Sequence, residues 1–102
     1  MEKRKPHYEL QKIKAVVRDP ASRPFTISAL RGGLHLGLTE NEMRQVVINL
    51  TRKDFYKSMT TYADNQTWQD VYHGQTETGV VVYIKITSYN DGRPPVIQFK
   101  LK

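Results

Sequence analysis

Apolar residues recur along the first half of the chain at helical spacing and along the second half in alternation. Leu10, Ile13, Val16 and Val17 form one stripe. Pro6 suits the opening turn of that helix, and Asp19-Pro20 closes it because the residue before proline avoids the α region. Lys12, Lys14 and Arg18 fall mostly off the stripe and are expected to face solvent. A shorter helix is expected from about Thr26 to Leu34, with Ile27 and Leu30 as its apolar positions and Gly32-Gly33 weakening it. Gly37 then serves as a C-terminal glycine or loop residue. The third helix has the clearest start. Thr39-Glu40-Asn41-Glu42 fits a capping box, Leu38 and Met43 fit the hydrophobic staple, and Met43, Val46, Val47 and Leu50 supply a buried stripe ending near Thr51.

After Asp54 the period changes to two. Phe55 to Tyr62 is rich in aromatic and β-branched residues and predicts a strand, followed by a turn at Asp64-Asn65-Gln66. Trp68 to Tyr72 predicts a second strand, with His73-Gly74 opening the next connection. Val80 to Ser88 is the strongest β signal, and Val96 to Leu101 completes the set after an Asn90-Asp91-Gly92 hairpin lengthened by Arg93-Pro94-Pro95. Helices followed by a four-stranded meander predict one α+β domain over residues 1–102, with helices on one face of an antiparallel sheet and a concave, basic face left open.

Composition narrows the function. The 102 residues carry 16 Lys and Arg against 10 Asp and Glu, a formal charge of +6 that suggests a polyanionic partner. Part of the surplus sits in residues 1–18. Cysteine is absent, which excludes a disulfide scaffold, a thiolate zinc site and a cysteine nucleophile. No apolar run approaches the roughly 20 residues that cross a bilayer, and no signal-peptide pattern follows the charged start, so a cytoplasmic protein without a membrane partner is expected. There is no phosphate-binding glycine loop, no His-x-x-x-His pair and no Gly-x-Ser-x-Gly elbow. His7, His35 and His73 lie in separate segments, and Asp64 and Asp70 make a poor carboxylate pair. Neither a metal nor a cofactor is expected.

The remaining chemistry is borne on strands. Lys57, Gln69, Tyr83 and Lys100 fall one to each predicted strand, and neighbouring strands lie about 4.8 Å apart. On the third strand Val80, Val82, Ile84 and Ile86 form a core face, so Val81, Tyr83, Lys85 and Thr87 point away. On the fourth, Ile97, Phe99 and Leu101 oppose Val96, Gln98 and Lys100. The second strand leaves the face of Gln69 open, and Lys57 shares its phase with Phe55 and Met59, which suggests core. Alternation alone therefore fits a solvated sheet side as well as a site. Aromatic side chains are abundant enough to suit a single-stranded nucleic-acid reader, although some of them, Trp68 above all, are expected in the core.

Met1-Glu2-Lys3-Arg4-Lys5-Pro6-His7, the block Asp54 to Tyr62, Trp68-Gln69-Asp70-Val71-Tyr72, Val82 to Thr87 and Phe99-Lys100 together resemble the motility quorum-sensing regulator (MqsR) toxins over nearly the whole chain. The resemblance implies a RelE-like fold and a metal-independent mRNA interferase of a type II toxin–antitoxin system that cuts mRNA at GCU-like sites without the ribosome. It implies as partner an antitoxin with a zinc-binding N-terminal domain and a helix-turn-helix C-terminal domain. Operator DNA is met only through that complex, in autoregulation tied to persistence and biofilm formation. It also implies Lys57, Gln69, Tyr83 and Lys100 as catalytic residues; His73 and Met59 are separate candidates for RNA contact. The chain departs from the family pattern at His73, where an arginine is usual, and at the Arg93-Pro94-Pro95 insertion. The accompanying mechanism has Lys57 or Tyr83 as acid or base, Lys100 as phosphate clamp and Gln69 as orienter. Crowding is expected to lower both lysine pKa values. The alternative is a non-catalytic RNA- or DNA-binding or antitoxin-interaction module.

Overall fold

The computed structural model describes residues 1–89 and 93–101. The Asn90-Asp91-Gly92 hairpin expectation falls outside the described residues. The helices are α1 (Leu10–Arg18), α2 (Ile27–His35) and α3 (Glu40–Ile48). The strands are β1 (Glu2–Lys3), β2 (Phe55–Thr60), β3 (Trp68–Gln75), β4 (Val81–Thr87) and β5 (Val96–Leu101). They form one antiparallel sheet in the order β1-β2-β3-β4-β5. The α+β class is as expected, with five strands instead of four. The extra strand is two residues long, too short for alternation to reveal, and it pairs Glu2 with Met59 and Lys3 with Ser58.

The helices cover one face. Ile13 and Val17 from α1, Ala29 from α2, and Met43, Val46 and Val47 from α3 meet Tyr72, Val82, Ile84, Ile86, Ile97 and Phe99 from the sheet. The capping box of α3 is present in both directions, Thr39 Oγ1 accepting from Glu42 N and Glu42 accepting from Thr39 N. Gly37 has φ of 75°, a left-handed turn that suits glycine after α2.

Four local expectations are corrected. Lys14 is buried, because it stands four residues after Leu10 and three before Val17 and so shares the inward stripe, where its methylene stem packs. In α2 the inward residues are Ala29 and Gly33, whereas the expected apolar positions Ile27 and Leu30 are 70% and 38% exposed. The helix lies so close to β5 that a Cβ on Gly32 would stand 2.9 Å from the Phe99 carbonyl oxygen, so only its small face fits. His73 and Gly74 do not begin a loop; they continue β3, paired with Tyr83 and Val82. Trp68 is only partly buried, at the sheet edge, where it stacks on His7 and lies under the Lys3 amine.

Two polar anchors tie the layers together. The Arg44 guanidinium, buried on α3, donates to the carbonyls of Val17, Asp19 and Ser22 and so occupies free acceptors at the end of α1 and in the turn after it. Asp70, buried on β3, accepts from the backbone N–H groups of His7 and Tyr8 and from the Ser58 hydroxyl. That fixes the segment leading into α1 against the sheet.

Candidate active site

The open face owes its composition to a β-bulge. Phe55 pairs with Tyr72, but the register then shifts so that Lys57 pairs with Val71, Ser58 with Asp70 and Met59 with Gln69. Tyr56 is the extra residue. Without the bulge, Lys57 and Met59 would share a face with Phe55, which packs against the core; with it, they turn to the open side. The difficulty over the phase of Lys57 is thereby resolved.

Across the sheet the open-face residues line up in rows. Lys57, Val71, Lys85 and Gln98 are successive partners, and so are His73, Tyr83 and Lys100. A concavity of about 280 Å³ lies over these rows, lined by Tyr56, Lys57, Met59, Val71, Tyr83, Lys85 and Lys100. Val71 is its buried floor. Three lysines and two tyrosines thus line one shallow basin, of a size suited to a phosphodiester and its flanking ribose.

Of the four residues in the expected set, Lys57, Tyr83 and Lys100 line this basin, and Tyr83 faces Lys100 directly across the β4–β5 pair. Gln69 belongs to the same face but stands one step further along β3, beside Met59 and outside the lining. Met59 lines the basin. The His73 ring lies between two tyrosines, stacked on Tyr56 at 4.6 Å and edge-on to Tyr83 at 4.8 Å.

The electrostatics differ from expectation at Lys57. Glu2 on β1 holds the Lys57 amine at 2.8 Å, and this hydrogen bond raises the lysine pKa while lowering that of Glu2. Mutual crowding of Lys57 with Lys100 does not lower it. The lowered amine is Lys85, chiefly through burial, then through the charges of Lys100 and Lys57. Lys85, Tyr56 and Glu2 were missing from the expected set. Lys85 was within reach, since it is in phase with Tyr83 on the most regular strand. Tyr56 depends on the bulge and Glu2 on β1. Among the described residues no group of three His, Asp or Glu side chains is arranged to hold a metal ion. Asp64 lies in a turn bound to Gln66 N and Thr67 Oγ1, and Asp70 lies under the sheet, so they do not form a pair.

A five-stranded antiparallel sheet backed by helices and carrying a lysine-rich basin makes this a small α+β protein with an open basic face. The family described as motility quorum-sensing regulator, toxin of MqsA, matches residues 5–101, and the chain belongs to it. The mRNA interferase toxin MqsR of Escherichia coli strain K12 is 46% identical over 102 residues, covering 100% of both chains.

Proposed function

We infer that the chain is the toxin of a toxin–antitoxin pair and an endoribonuclease, an mRNA interferase, with an antitoxin of the MqsA kind as its partner. The observation that carries the catalytic reading is the basin holding Lys57, Lys85, Lys100 and Tyr83 together on the open face of the sheet. RNA supplies its own nucleophile. A deprotonated 2′-hydroxyl attacks the adjacent phosphorus, and the products are a 2′,3′-cyclic phosphate and a 5′-hydroxyl. The protein has to neutralise charge gathering on the phosphorane and move two protons, contributions of roughly 10²–10⁴-fold each.

Lys57, kept protonated by Glu2, suits a phosphate clamp better than a base. Lys100 clamps from the other side, beside Tyr83, whose hydroxyl donates to the leaving 5′-oxygen. Gln69 and Met59 orient the adjoining nucleotide, and His73 supports the aromatic wall. This proposal extends to metal-independent cleavage at GCU-like sites in the cytoplasm by a single domain. It further extends to an antitoxin with a zinc-binding domain and a helix-turn-helix domain, to operator DNA contacted only through the complex, and to a part in persistence and biofilm control. Among the described residues no helix is long and apolar enough to cross a membrane.

The test is incubation of the purified toxin with a GCU-containing RNA in EDTA, with mapping of the fragment ends. Discrete fragments bearing cyclic phosphate are expected, and Tyr83→Phe and Lys100→Ala should each slow cleavage at least about 100-fold while remaining folded. Retention of RNA in a gel shift with no cutting would favour the binding module instead.

A further inference from the structure

Building on the nuclease reading, we propose that Lys85 is the general base of the reaction, accepting the proton of the attacking 2′-hydroxyl. Its position is central. Lys85 pairs with Val71 on one side and Gln98 on the other, so it stands over the floor of the basin between Lys57 and Lys100. It is half-buried, whereas Lys100 is exposed at the rim. Lys57 is engaged by Glu2, but no carboxylate lines the basin beside Lys85 among the described residues. The charged and titratable groups around it are Tyr56 and Lys57 from β2, with Glu2 of β1 on Lys57, His73 from β3 beside Tyr83, Tyr83 on its own strand and Lys100 from β5. Partial burial, and then the charges of Lys100 and Lys57, favour the neutral amine and lower the pKa of Lys85.

The step balances without a co-reactant. The 2′-hydroxyl proton passes to the Lys85 amine, the 2′-oxygen bonds to phosphorus and the P–O5′ bond breaks. The 5′-oxygen leaves with the Tyr83 phenolic proton, and the Lys85 ammonium then returns a proton to the phenolate.

The experiment measures single-turnover cleavage of a short GCU-containing RNA from roughly pH 6 to pH 10, for the 102-residue chain and for Lys85→Arg. Arginine keeps the positive charge but cannot act as a base. Binding of the 2′-O-methyl form of the same RNA, which lacks the nucleophile, is followed in parallel. The wild-type rate is expected to climb with pH and level off before the roughly 10.4 of an unperturbed lysine. Lys85→Arg is expected to bind the methylated RNA within about threefold of wild type but to cleave at least about 100-fold more slowly, with no plateau. Arginine-variant cleavage within about threefold of wild type, or a slow variant that keeps the wild-type profile, would overturn the assignment. If the variant does not fold, the wild-type profile decides, and a rate still rising log-linearly at the top of the range rejects Lys85. A wild-type protein that cuts nothing rejects the nuclease reading itself, a different result from a wild type that cuts and an arginine variant that cuts equally well.

Discussion

Glu2 Oε1 lies 2.8 Å from Lys57 Nζ, so a carboxylate from the first strand occupies an amine on the wall of the candidate active site. An RNA phosphate reaching Lys57 must share it with Glu2 or displace it. Glu2→Gln is therefore expected to tighten binding of a 2′-O-methyl RNA several-fold and to steepen the salt dependence by about 0.7 in log–log slope, one further phosphate contact. Fluorescence anisotropy at three or more salt concentrations measures both. Because Lys57 lowers the Glu2 pKa, the carboxylate stays charged at and somewhat below the usual carboxylate range, and the difference between variant and wild type should persist at any pH near neutrality. Equal affinity and slope in the two proteins would show that Glu2 does not compete with RNA.

Asp70 gives a second prediction, on stability. Its buried carboxylate accepts from His7 N, Tyr8 N and Ser58 Oγ at 2.7 to 3.0 Å. Asp70→Ala strands the two backbone donors and frees the segment before α1, at a cost of about 2–4 kcal/mol. Urea unfolding checks this. A loss below about 1 kcal/mol would mean that water replaces the carboxylate readily.

A third prediction concerns Gly32. Replacing a helical glycine with alanine ordinarily stabilises by about 1 kcal/mol. Here the new methyl carbon would meet the Phe99 carbonyl oxygen at 2.9 Å, and a backbone atom in the sheet cannot step aside as a side chain can. Gly32→Ala is expected to destabilise by about 1 kcal/mol or more once strain outweighs the propensity gain. A rise in Tm would show that α2 can slide away from β5.

The same helix shows what periodicity can and cannot reveal. Alternation in β4 and β5 was legible because both strands are regular and carry large apolar residues on one side, so Tyr83, Lys85 and Lys100 could be placed on the open face from the sequence. The capping box of α3 was legible because it is a local exchange of two hydrogen bonds. In α2 periodicity marks Ile27 and Leu30 as the apolar positions, whereas the core selects the smallest side chains, since the distance to β5 decides which face fits. Lys57 was ambiguous because a bulge adds one residue and inverts every phase beyond it, with no marker such as glycine at Tyr56. Buried Lys14 and Arg44 escaped notice for a related reason: a long cationic side chain reads as polar, yet most of its surface is methylene, and free helix carbonyls make good partners for a guanidinium. The candidate site was thus legible only as a set of residue types on one face, while the distribution of charge within it required β1 and the bulge.

Tyr72 yields the last prediction. The residue is almost wholly buried, with its ring edge-on to Phe55 at 5.5 Å, and among the described residues no hydrogen bond reaches its hydroxyl. Burial, with a smaller contribution from the charge of Asp70, pushes its pKa up to about 12. A raised folded-state pKa means that the unfolded chain releases this proton first, near pH 10. The stability tied to the neutral phenol is therefore complete below about pH 10 and is lost as the pH climbs to about 12, a decline of about 2–3 kcal/mol. Tyr72→Phe abolishes that decline and also removes a buried hydroxyl without a partner, so at neutral pH the variant should be as stable as wild type or about 1 kcal/mol more stable. Urea unfolding of both proteins at roughly pH 7 and roughly pH 11.5 separates the two effects. Their difference in stability should widen with pH in favour of phenylalanine, because all other titrating groups are common to both and cancel. A variant less stable at pH 7 would show that the hydroxyl has a partner in the core, and a difference that does not change with pH would show that burial does not raise its pKa.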